Sequence, residues 1–144
     1  MKVVVQRSKK SSVTIDGKVH GEIDKGLVLL VSFTEGDSSY EIDWMINKIL
    51  NLRIFDDDNG IMNKSILDIH GSILSISQFT LYGDASKGNR PSYIKALGGD
   101  KAKLLYDEFN TKLSDKIEVK TGIFGSDMKV NILNDGPVTI ILEK

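Results

Sequence analysis

The first quarter of the chain is patterned as β-strands. Residues 3–5 and 27–31 are continuous apolar runs, and a run such as 27–31 is typical of a strand buried on both faces. Between them, Asp16-Gly17 joins two segments of β-forming residues, 12–15 and 19–23. Asp-Gly in this position is the strongest short-range signal for a hairpin. We therefore predict that the chain opens with a sheet.

Two later segments have the period of amphipathic helices. Ser38 and Glu41 match the capping-box pattern that begins a helix, and a second helix is predicted to begin near Asp100. In each segment, apolar residues recur three or four positions apart and so share one face. These residues are Ile42, Met45, Ile46 and Ile49 in the first segment and Ala102, Leu105, Phe109 and Leu113 in the second. The two helices are expected to cover the sheet.

The rest of the chain again favours strands. Strand character returns at residues 73–79 and dominates the C-terminal part, at 128–133 and 138–142. Residues 134–137, with the sequence Asn-Asp-Gly-Pro, are predicted to connect the last two strands. No repeat, linker or change of composition divides the chain. The predicted fold class is therefore α+β, with residues 1–144 forming one domain.

Composition limits the classes of protein that fit. The chain has 144 residues, of which 40% are hydrophobic and 27% are charged, as is ordinary for one folded domain. It contains no cysteine, which excludes disulfides, thiolate nucleophiles and zinc sites built on sulfur. The apolar run at the N-terminus is too short for a signal peptide, and no run is long enough to span a bilayer. We therefore expect a cytoplasmic protein with no membrane partner.

Charge narrows the choice of partners. The net charge is −1, whereas proteins that bind nucleic acid over a whole face are usually basic. We therefore expect no DNA partner. A few lysines and arginines would still be enough to hold one end of an RNA.

Three conventional signals for a catalytic or metal site are incomplete. His20 and His70 each lie next to a glycine, in segments predicted as strand ends or turns, and belong to no metal motif. The acidic turn at residues 56–60 lacks the terminal glutamate of a calcium loop, so a plain hairpin turn is expected. The loop at residues 83–88 lacks the Gly-Lys-Ser end of a phosphate loop. We expect no metal and no cofactor.

One polar segment follows an apolar strand. Ser77, Gln78, Phe79 and Thr80 place two hydroxyls and an amide where that strand ends. If the strand continues through them, Ser77 and Phe79 lie on one face of the sheet. Gln78 and Thr80 then lie on the opposite face. Serine and threonine also simply end strands, so the segment alone has two interpretations.

A second unusual feature is Gly136-Pro137, which lies between two strong β runs. Proline cannot donate to a strand ladder, so in a sheet it is confined to an edge, a strand start or a bulge. A Gly-Pro bond can also be cis, an isomer that usually marks a tight turn. An ordinary connection between strands and a functional element are both consistent with it.

Taken together, these segments resemble the D-aminoacyl-tRNA deacylase family. Its first signature is similar to residues 77–81, Ser-Gln-Phe-Thr-Leu, and its second to residues 134–139, Asn-Asp-Gly-Pro-Val-Thr. The resemblance extends in order over nearly the whole chain, with supporting stretches at residues 52–56, 87–93 and 121–128. On this basis the chain is identified as a member of the family.

The resemblance implies a homodimer. Each subunit would have a barrel-like body of mostly antiparallel sheet, with about two helices outside. The active sites would lie at the dimer interface, where the segment from Ser77 to Thr80 of one subunit would face Gly136 and Pro137 of the other. Two-fold symmetry then gives two equivalent sites.

The implied substrate is the ester between a D-amino acid, or glycine, and the 3′-terminal adenosine of tRNA. Water must attack the acyl carbon, so the site needs an oxyanion stabiliser and a way to activate the nucleophile. Thr80 could be a covalent nucleophile, but no histidine or lysine lies near it in the sequence. We favour an oxyanion hole of backbone N–H groups around Phe79 and Thr80, assisted by the substrate's own 2′-hydroxyl. A general base that the sequence does not identify is the third possibility.

The resemblance also assigns chirality proofreading to Gly136-Pro137. If that peptide bond is cis and directs its carbonyls into the pocket, they can contact the substrate α-amino group and occupy the space that an L side chain needs. L-aminoacyl esters are then rejected by a clash. Glycine has no side chain to reject, and a readout by backbone atoms predicts broad specificity among D-amino acids.

Further site residues follow from the resemblance. Phe124, Gly125 and Met128 are expected to line the adenosine or aminoacyl pocket, although packing in the core is an equal interpretation for Met128. Arg7 is expected near the Gly-Pro segment, where its guanidinium could hold carbonyls in position.

A basic loop supplies candidates for phosphate contacts. These are Lys87, Arg90 and Lys95, which could equally form a solvated loop.

A different class of protein also fits the sequence. This is a noncatalytic dimer that binds an RNA end or a protein and keeps the fold without the chemistry. Both signature segments are intact, which favours the enzyme; binding of tRNA without turnover would favour the alternative.

Overall fold

A five-stranded sheet forms the centre of the computed structural model, which describes residues 1–144. In chain order the strands are β1 (Lys2–Ser8), β2 (Ser11–Ile15), β3 (Lys18–Ile23), β4 (Gly26–Ser32), β5 (Phe55–Asp56), β6 (Met62–Lys64), β7 (Ser72–Ser77), β8 (Val119–Thr121), β9 (Lys129–Asn131) and β10 (Asn134–Glu143). The α-helices are α1 (Ser39–Asn51) and α2 (Gly99–Ser114), and a short 3-10 helix, Phe79–Tyr82, follows β7. The predicted α+β class with two helices is confirmed.

The central sheet has the strand order β10-β1-β4-β7-β8. Strand β1 is antiparallel to both β10 and β4, whereas β7 is parallel to both β4 and β8. Parallel neighbours need a crossover, and α1 and α2 supply the two that are required. A second, antiparallel sheet has the order β3-β2-β9, so the fold is mostly antiparallel, as expected.

Hydrophobic side chains fill both faces of the central sheet. On one face, Leu27 and Leu29 of β4 pack against the apolar sides of α1 and α2. On the other, Val28 packs with Val13 and Ile23 of the three-stranded sheet. The continuous apolar run at residues 27–31 is explained by this position, because β4 is covered from two sides.

Helix α1 begins where the sequence predicts. The Ser38 backbone N–H donates to the Glu41 carboxylate at 2.8 Å, and the Tyr40 N–H donates to the Ser38 hydroxyl at 3.3 Å. Hydrogen bonds from the Ser38 hydroxyl and from backbone N–H groups lower the pKa of Glu41. The capping box is therefore formed, and the four predicted apolar positions are buried.

Helix α2 differs in one buried position. Tyr106 lies in the core, whereas Leu105, which the sequence predicts there, is only half-buried. The tyrosine can be buried because its hydroxyl donates to the Ser75 carbonyl of β7 at 2.8 Å. Burial raises the pKa of Tyr106.

Two local predictions are wrong. Strand β7 ends at Ser77 rather than continuing to residue 79, so its side chains do not alternate through Thr80. The Gln78 N–H donates to the Val31 carbonyl at 2.7 Å, and the chain then turns into the 3-10 helix. Residues 134–137 are also not a connecting turn, because β10 already begins at Asn134.

The start of β10 contains a bulge formed by Gly136 and Pro137. Pairing of β10 with β1 shifts register between Gln6 and Ser8, so the bulge lies opposite Arg7. An edge strand and a bulge are positions where proline is tolerated, because no ladder hydrogen bond is lost.

The two histidines and the acidic turn lie away from this region. His20 is exposed within β3 rather than in a turn, and His70 is exposed in the turn before β7. In the acidic turn, the Asp57 carboxylate accepts from the N–H groups of Asn59 and Ile61, which confirms a plain hairpin turn. Neither α-helix is long and apolar enough to cross a membrane.

Loss of the capping hydroxyl should destabilise α1. We expect Ser38→Ala to lower the free energy of unfolding by about 1 kcal/mol, because N-terminal N–H groups of the helix lose their acceptor. Urea denaturation measures this, with Ser92→Ala in an exposed loop as the control.

The same variant should show a pH dependence. The pKa of Glu41 is lowered in the folded protein, so its contribution is present above the ordinary value of 4.5 and is lost as the pH falls through the lower, folded pKa. The difference in the free energy of unfolding between wild type and Ser38→Ala should therefore become smaller in acid. A difference that widens below pH 4.5 would contradict the assignment.

Candidate active site

A cavity of about 490 Å³ opens where β4 and β7 end. Most of its lining is apolar, and its walls come from the end of β4, the segment after β7, the N-terminal part of α2 and the turn before β9. Six residues that the sequence predicts for the site line it: Ser77, Gln78, Phe79, Phe124, Gly125 and Met128. The cavity is of the size and character that small-ligand sites usually have.

The segment after β7 is held by β4. Ser77 pairs with Val31, and the Ser32 hydroxyl contacts the Phe79 carbonyl at 3.5 Å. Leu81 provides the first intrahelical hydrogen bond of the 3-10 helix, because its N–H donates to the Gln78 carbonyl at 3.2 Å. The N–H groups that precede it at the start of such a helix have no intrahelical acceptor.

Thr80 does not line the cavity. It is exposed, and its hydroxyl is hydrogen-bonded to the Gln78 side-chain amide. Of the four residues predicted at the strand end, it is therefore the one whose side chain lies outside this space.

Ionisable side chains are almost absent from the lining. It contains no Asp, Glu, His, Lys or Arg, and the Tyr93 phenol is its one ionisable group. A proton acceptor for an attacking water must therefore come from a backbone carbonyl, a neutral side chain, the substrate or a second subunit.

The turn at residues 122–128 forms the opposite wall. The Gly122 N–H donates to the Ser75 carbonyl at 3.2 Å, and a Cβ atom at this glycine would overlap the Met128 sulfur. Met128 lines the cavity and also packs against the buried cluster between the sheets. Phe124 lines the cavity and has its ring centroid 5.8 Å from that of Tyr106.

The bulge lies in a different part of the subunit. The Gly136-Pro137 bond is cis, both residues are exposed, and Gly136 has φ = +115°. The Asn134 amide donates to the carbonyls of Arg7 and Val138, at 3.0 Å each. The side chain of Asn134 thus joins both ends of the bulge to β1.

Arg7 supports the bulge from its buried side. It is only 8% exposed, and its guanidinium donates to the Asp135 carbonyl at 3.1 Å and to the Ile54 carbonyl at 2.9 Å. It also lies 3.4 Å from the carboxylates of Asp56 and Asp135. A Cβ atom at Gly136 would lie 2.9 Å from Arg7 Nη2, so the guanidinium lies directly against the bulge.

The bulge and the cavity are far apart within one subunit. The bulge lies opposite Arg7, which pairs with Leu27 and through it with Ile73, whereas the first signature segment begins at Ser77, four residues further along β7. Three inter-strand spacings of about 4.8 Å and four residues of about 3.3 Å give a separation of roughly 20 Å. The two signature segments of one chain therefore do not form a single site.

Comparison with known families identifies the class of protein. The family model described as D-Tyr-tRNA(Tyr) deacylase matches residues 4–143. The chain belongs to this family, whose members are hydrolytic enzymes.

Relatives from three bacteria are each named D-aminoacyl-tRNA deacylase. The chain is 56% identical to the protein of Clostridium kluyveri and 52% identical to that of Clostridium acetobutylicum, over 144 residues in each case. It is 57% identical to that of Bacteroides fragilis over 145 residues. Each match covers 99% of this chain and 97% of the relative.

Two solved structures have the same fold. One, named c-Myc DNA unwinding element binding protein, superposes with a TM-score of 0.95 at 40% identity and covers 100% of this chain and 99% of its own. The other, a probable eukaryotic D-amino acid tRNA deacylase, has a TM-score of 0.83 at 17% identity, with 98% and 97% covered. The second likeness concerns the fold alone.

Sequence reasoning missed one prominent residue of the cavity. Tyr93 lines it and packs edge-to-face on Phe79, with ring centroids 5.1 Å apart. The only signal was its place in the loop stretch that resembles the family, since nothing in a sequence pairs residue 79 with residue 93.

The support of the bulge by Arg7 can be measured. We expect Arg7→Lys to lower the free energy of unfolding by about 2 kcal/mol, because one ammonium group cannot reach two carbonyls on different sides. Hydrogen exchange at residues 134–138 should also become faster.

Lys9→Gln is the matched control for that variant. Lys9 also contacts the Asp135 carboxylate, at 3.5 Å, but from the exposed side. Loss of this ion pair should lower the free energy of unfolding by less than about 1 kcal/mol. Equal effects of the two substitutions would show that the buried guanidinium supports the bulge no more than an exposed ammonium group does.

Proposed function

We propose that this protein hydrolyses the ester between a D-amino acid, or glycine, and the 3′ end of tRNA, as a proofreading enzyme whose single domain comprises residues 1–144. Family membership supports the reaction, and the names of the three bacterial relatives support the substrate. The observation that carries the proposal is the cavity itself, because residues of the first signature reach an apolar space large enough for a small ligand. Such an enzyme acts where aminoacyl-tRNA is used, in the cytoplasm.

The proposed chemistry uses backbone groups and the substrate. Water attacks the acyl carbon, the carbonyl oxygen becomes an oxyanion, and the N–H groups of Phe79 and Thr80 stabilise it. The C–O bond to the ribose then breaks, and the ribose oxygen takes up the proton that the attacking water gives up, which leaves the free amino acid and tRNA. Because the lining has no acidic or basic side chain beyond Tyr93, the neighbouring 2′-hydroxyl of the substrate is the favoured group to orient the water.

We further propose that the active protein is a homodimer with sites shared between subunits. The separation of roughly 20 Å between the bulge and Ser77 of the same chain supports this arrangement, since a second subunit could bring its bulge to the first signature segment. Edge strand β10 also leaves Ile141 67% exposed, and Leu133 just before it is 54% exposed. Apolar side chains on an uncovered edge strand favour association.

In this dimer the bulge acts as the chirality gate. Gly136 and Pro137 are exposed while Arg7 and Asn134 hold their backbone from beneath. A rigid, exposed backbone can exclude an L side chain by collision and can accept a D side chain or none. Selection by backbone atoms predicts little dependence on the identity of the D-amino acid.

The reaction is tested with two substrates of opposite chirality. Purified protein incubated with D-tyrosyl-tRNA and with L-tyrosyl-tRNA should release tyrosine from the first and leave the second intact. Hydrolysis of both at the same rate, or of neither, would overturn the proposed function. Binding of tRNA without turnover would favour the noncatalytic dimer.

The role of Thr80 is tested by separating its hydroxyl from its N–H. Thr80→Ala should stay within about tenfold of the wild-type kcat, whereas loss of a true nucleophile costs several orders of magnitude. Thr80→Pro removes the backbone donor and should lose most activity. If Thr80→Ala is inactive but folded and still binds substrate, the covalent route is correct; Thr80→Ser is the control.

The gate is tested at Gly136. A Cβ atom there would lie 2.7 Å from Val138 Cγ2 and 2.9 Å from Arg7 Nη2, so Gly136→Ala should displace the bulge and lower kcat/KM on D substrates at least about tenfold. Gly17→Ala is the matched control, since Gly17 also has a positive φ but has nothing within 4 Å of its Cβ position. Unchanged rates in Gly136→Ala would contradict the gate.

Combining two impaired variants in one dimer tests whether the site is shared. A heterodimer of Gly136→Ala and Thr80→Pro subunits has one site with both defects and one with neither, so about half of the wild-type activity should return. Sites built within one chain would recover nothing. The heterodimer is isolated by co-expression with two different affinity tags, and a monomeric wild-type protein would also contradict the arrangement.

A DNA-binding role is the other function that a relative's name suggests. That name belongs to the relative at 40% identity. The net charge of −1 of this chain does not favour contacts along a duplex, so we propose no DNA partner.

A further inference from the structure

Two aromatic side chains stand together at the mouth of the cavity. Phe79 is 57% exposed and Tyr93 is 40% exposed, and their rings pack at an interplanar angle of 73°. Ile94 beside them is 89% exposed. Large apolar side chains that are exposed next to a ligand cavity are typical of a surface that binds a ligand or another macromolecule.

The segment that carries Tyr93 is held firmly in place. Asp84 and Ser92 exchange two backbone hydrogen bonds of 2.8 Å each, and the Leu97 N–H donates to the Phe33 carbonyl at 2.9 Å. The Tyr93 ring also lies against Gly83, where a Cβ atom would approach its Cε1 to 3.0 Å. The ring is therefore presented by a fixed frame.

The loop that carries Tyr93 is basic between Asp84 and Asp100. Residues 85–99 contain three cationic side chains, Lys87, Arg90 and Lys95, and no carboxylate, in a chain whose net charge is −1. All three are exposed, and none of them takes part in an ion pair. Aromatic rings beside unpaired cations are the combination that binds single-stranded nucleic acid, through stacked bases and phosphate contacts.

We propose that Tyr93 is a stacking residue for the unpaired base that precedes the terminal adenosine of the substrate tRNA. This rests on the proposed function, in which the terminal aminoacyl-adenosine occupies the cavity. The strand leading to it must then cross the cavity mouth, where Tyr93 offers a ring and Lys95 a cation. Tyr93 thereby distinguishes a polynucleotide end from a single aminoacylated nucleoside.

The experiment compares two substrates that differ only in the preceding nucleotides. D-Tyrosyl-tRNA and D-tyrosyl-adenosine are each hydrolysed by wild type, Tyr93→Phe, Tyr93→Leu and Tyr93→Ala. In the two variants without a ring, the ratio of kcat/KM for tRNA to that for the adenosine ester should fall about tenfold. Tyr93→Phe should keep the wild-type ratio, and so should Tyr40→Ala, which removes an exposed tyrosine elsewhere.

A binding measurement separates stacking from shape. An acceptor-stem minihelix carrying 2-aminopurine at the position before the terminal adenosine should lose fluorescence on binding wild type or Tyr93→Phe, but much less with Tyr93→Leu. Equal losses of kcat/KM on both substrates, or equal quenching by all variants, would overturn the proposal. If wild type hydrolyses neither ester, the proposed function itself fails and this inference with it.

Discussion

Burial of β4 on both faces is the constraint on which the positions of both signature segments depend. Because Leu27, Val28 and Leu29 are all excluded from solvent, neither the strand nor its register with its neighbours can shift without exposing one set of side chains. The end of β4 receives the Gln78 N–H and so fixes where β7 stops and the cavity begins. Its start lies beside the part of β1 that carries Arg7. The position of β4 therefore sets the distance between the bulge and the cavity.

Arg7 shows how this frame tolerates a buried cation. Removing a guanidinium from water is costly, and the cost is offset only when its donors are satisfied and opposite charge lies close. Two carbonyls and the carboxylates of Asp56 and Asp135 meet that requirement. The same contacts hold an exposed glycine and proline at a strand edge, where neither residue could fix its own position. Rigidity of the bulge thus comes from β1 and from the segment after α1.

Local signals in the sequence predicted most of the elements but few of the contacts between them. The hairpin at Asp16-Gly17 and the capping box at Ser38 depend only on neighbouring residues, so the sequence could predict them. The end of β7 depends on a hydrogen bond from Gln78 to Val31, and the bulge depends on pairing with β1. The packing of Phe79 on Tyr93 joins residues from different segments. Such features follow from tertiary structure, which overrides local preference.

If the bulge is the chirality gate, as we propose, then catalysis and chiral selection are carried out by different kinds of group. The lining has almost no ionisable side chains. The proposed mechanism therefore assigns catalysis to N–H donors and to the substrate's own hydroxyl, and these would not distinguish one amino acid from another. Selection by an exposed backbone is likewise indifferent to the side chain that it accepts. An enzyme built this way can be strict about chirality and broad about residue type, because neither task depends on a pocket shaped for one side chain. In the proposed complex, recognition of the tRNA end would fall to Tyr93 and the basic loop that carries it, which are separate from the bulge.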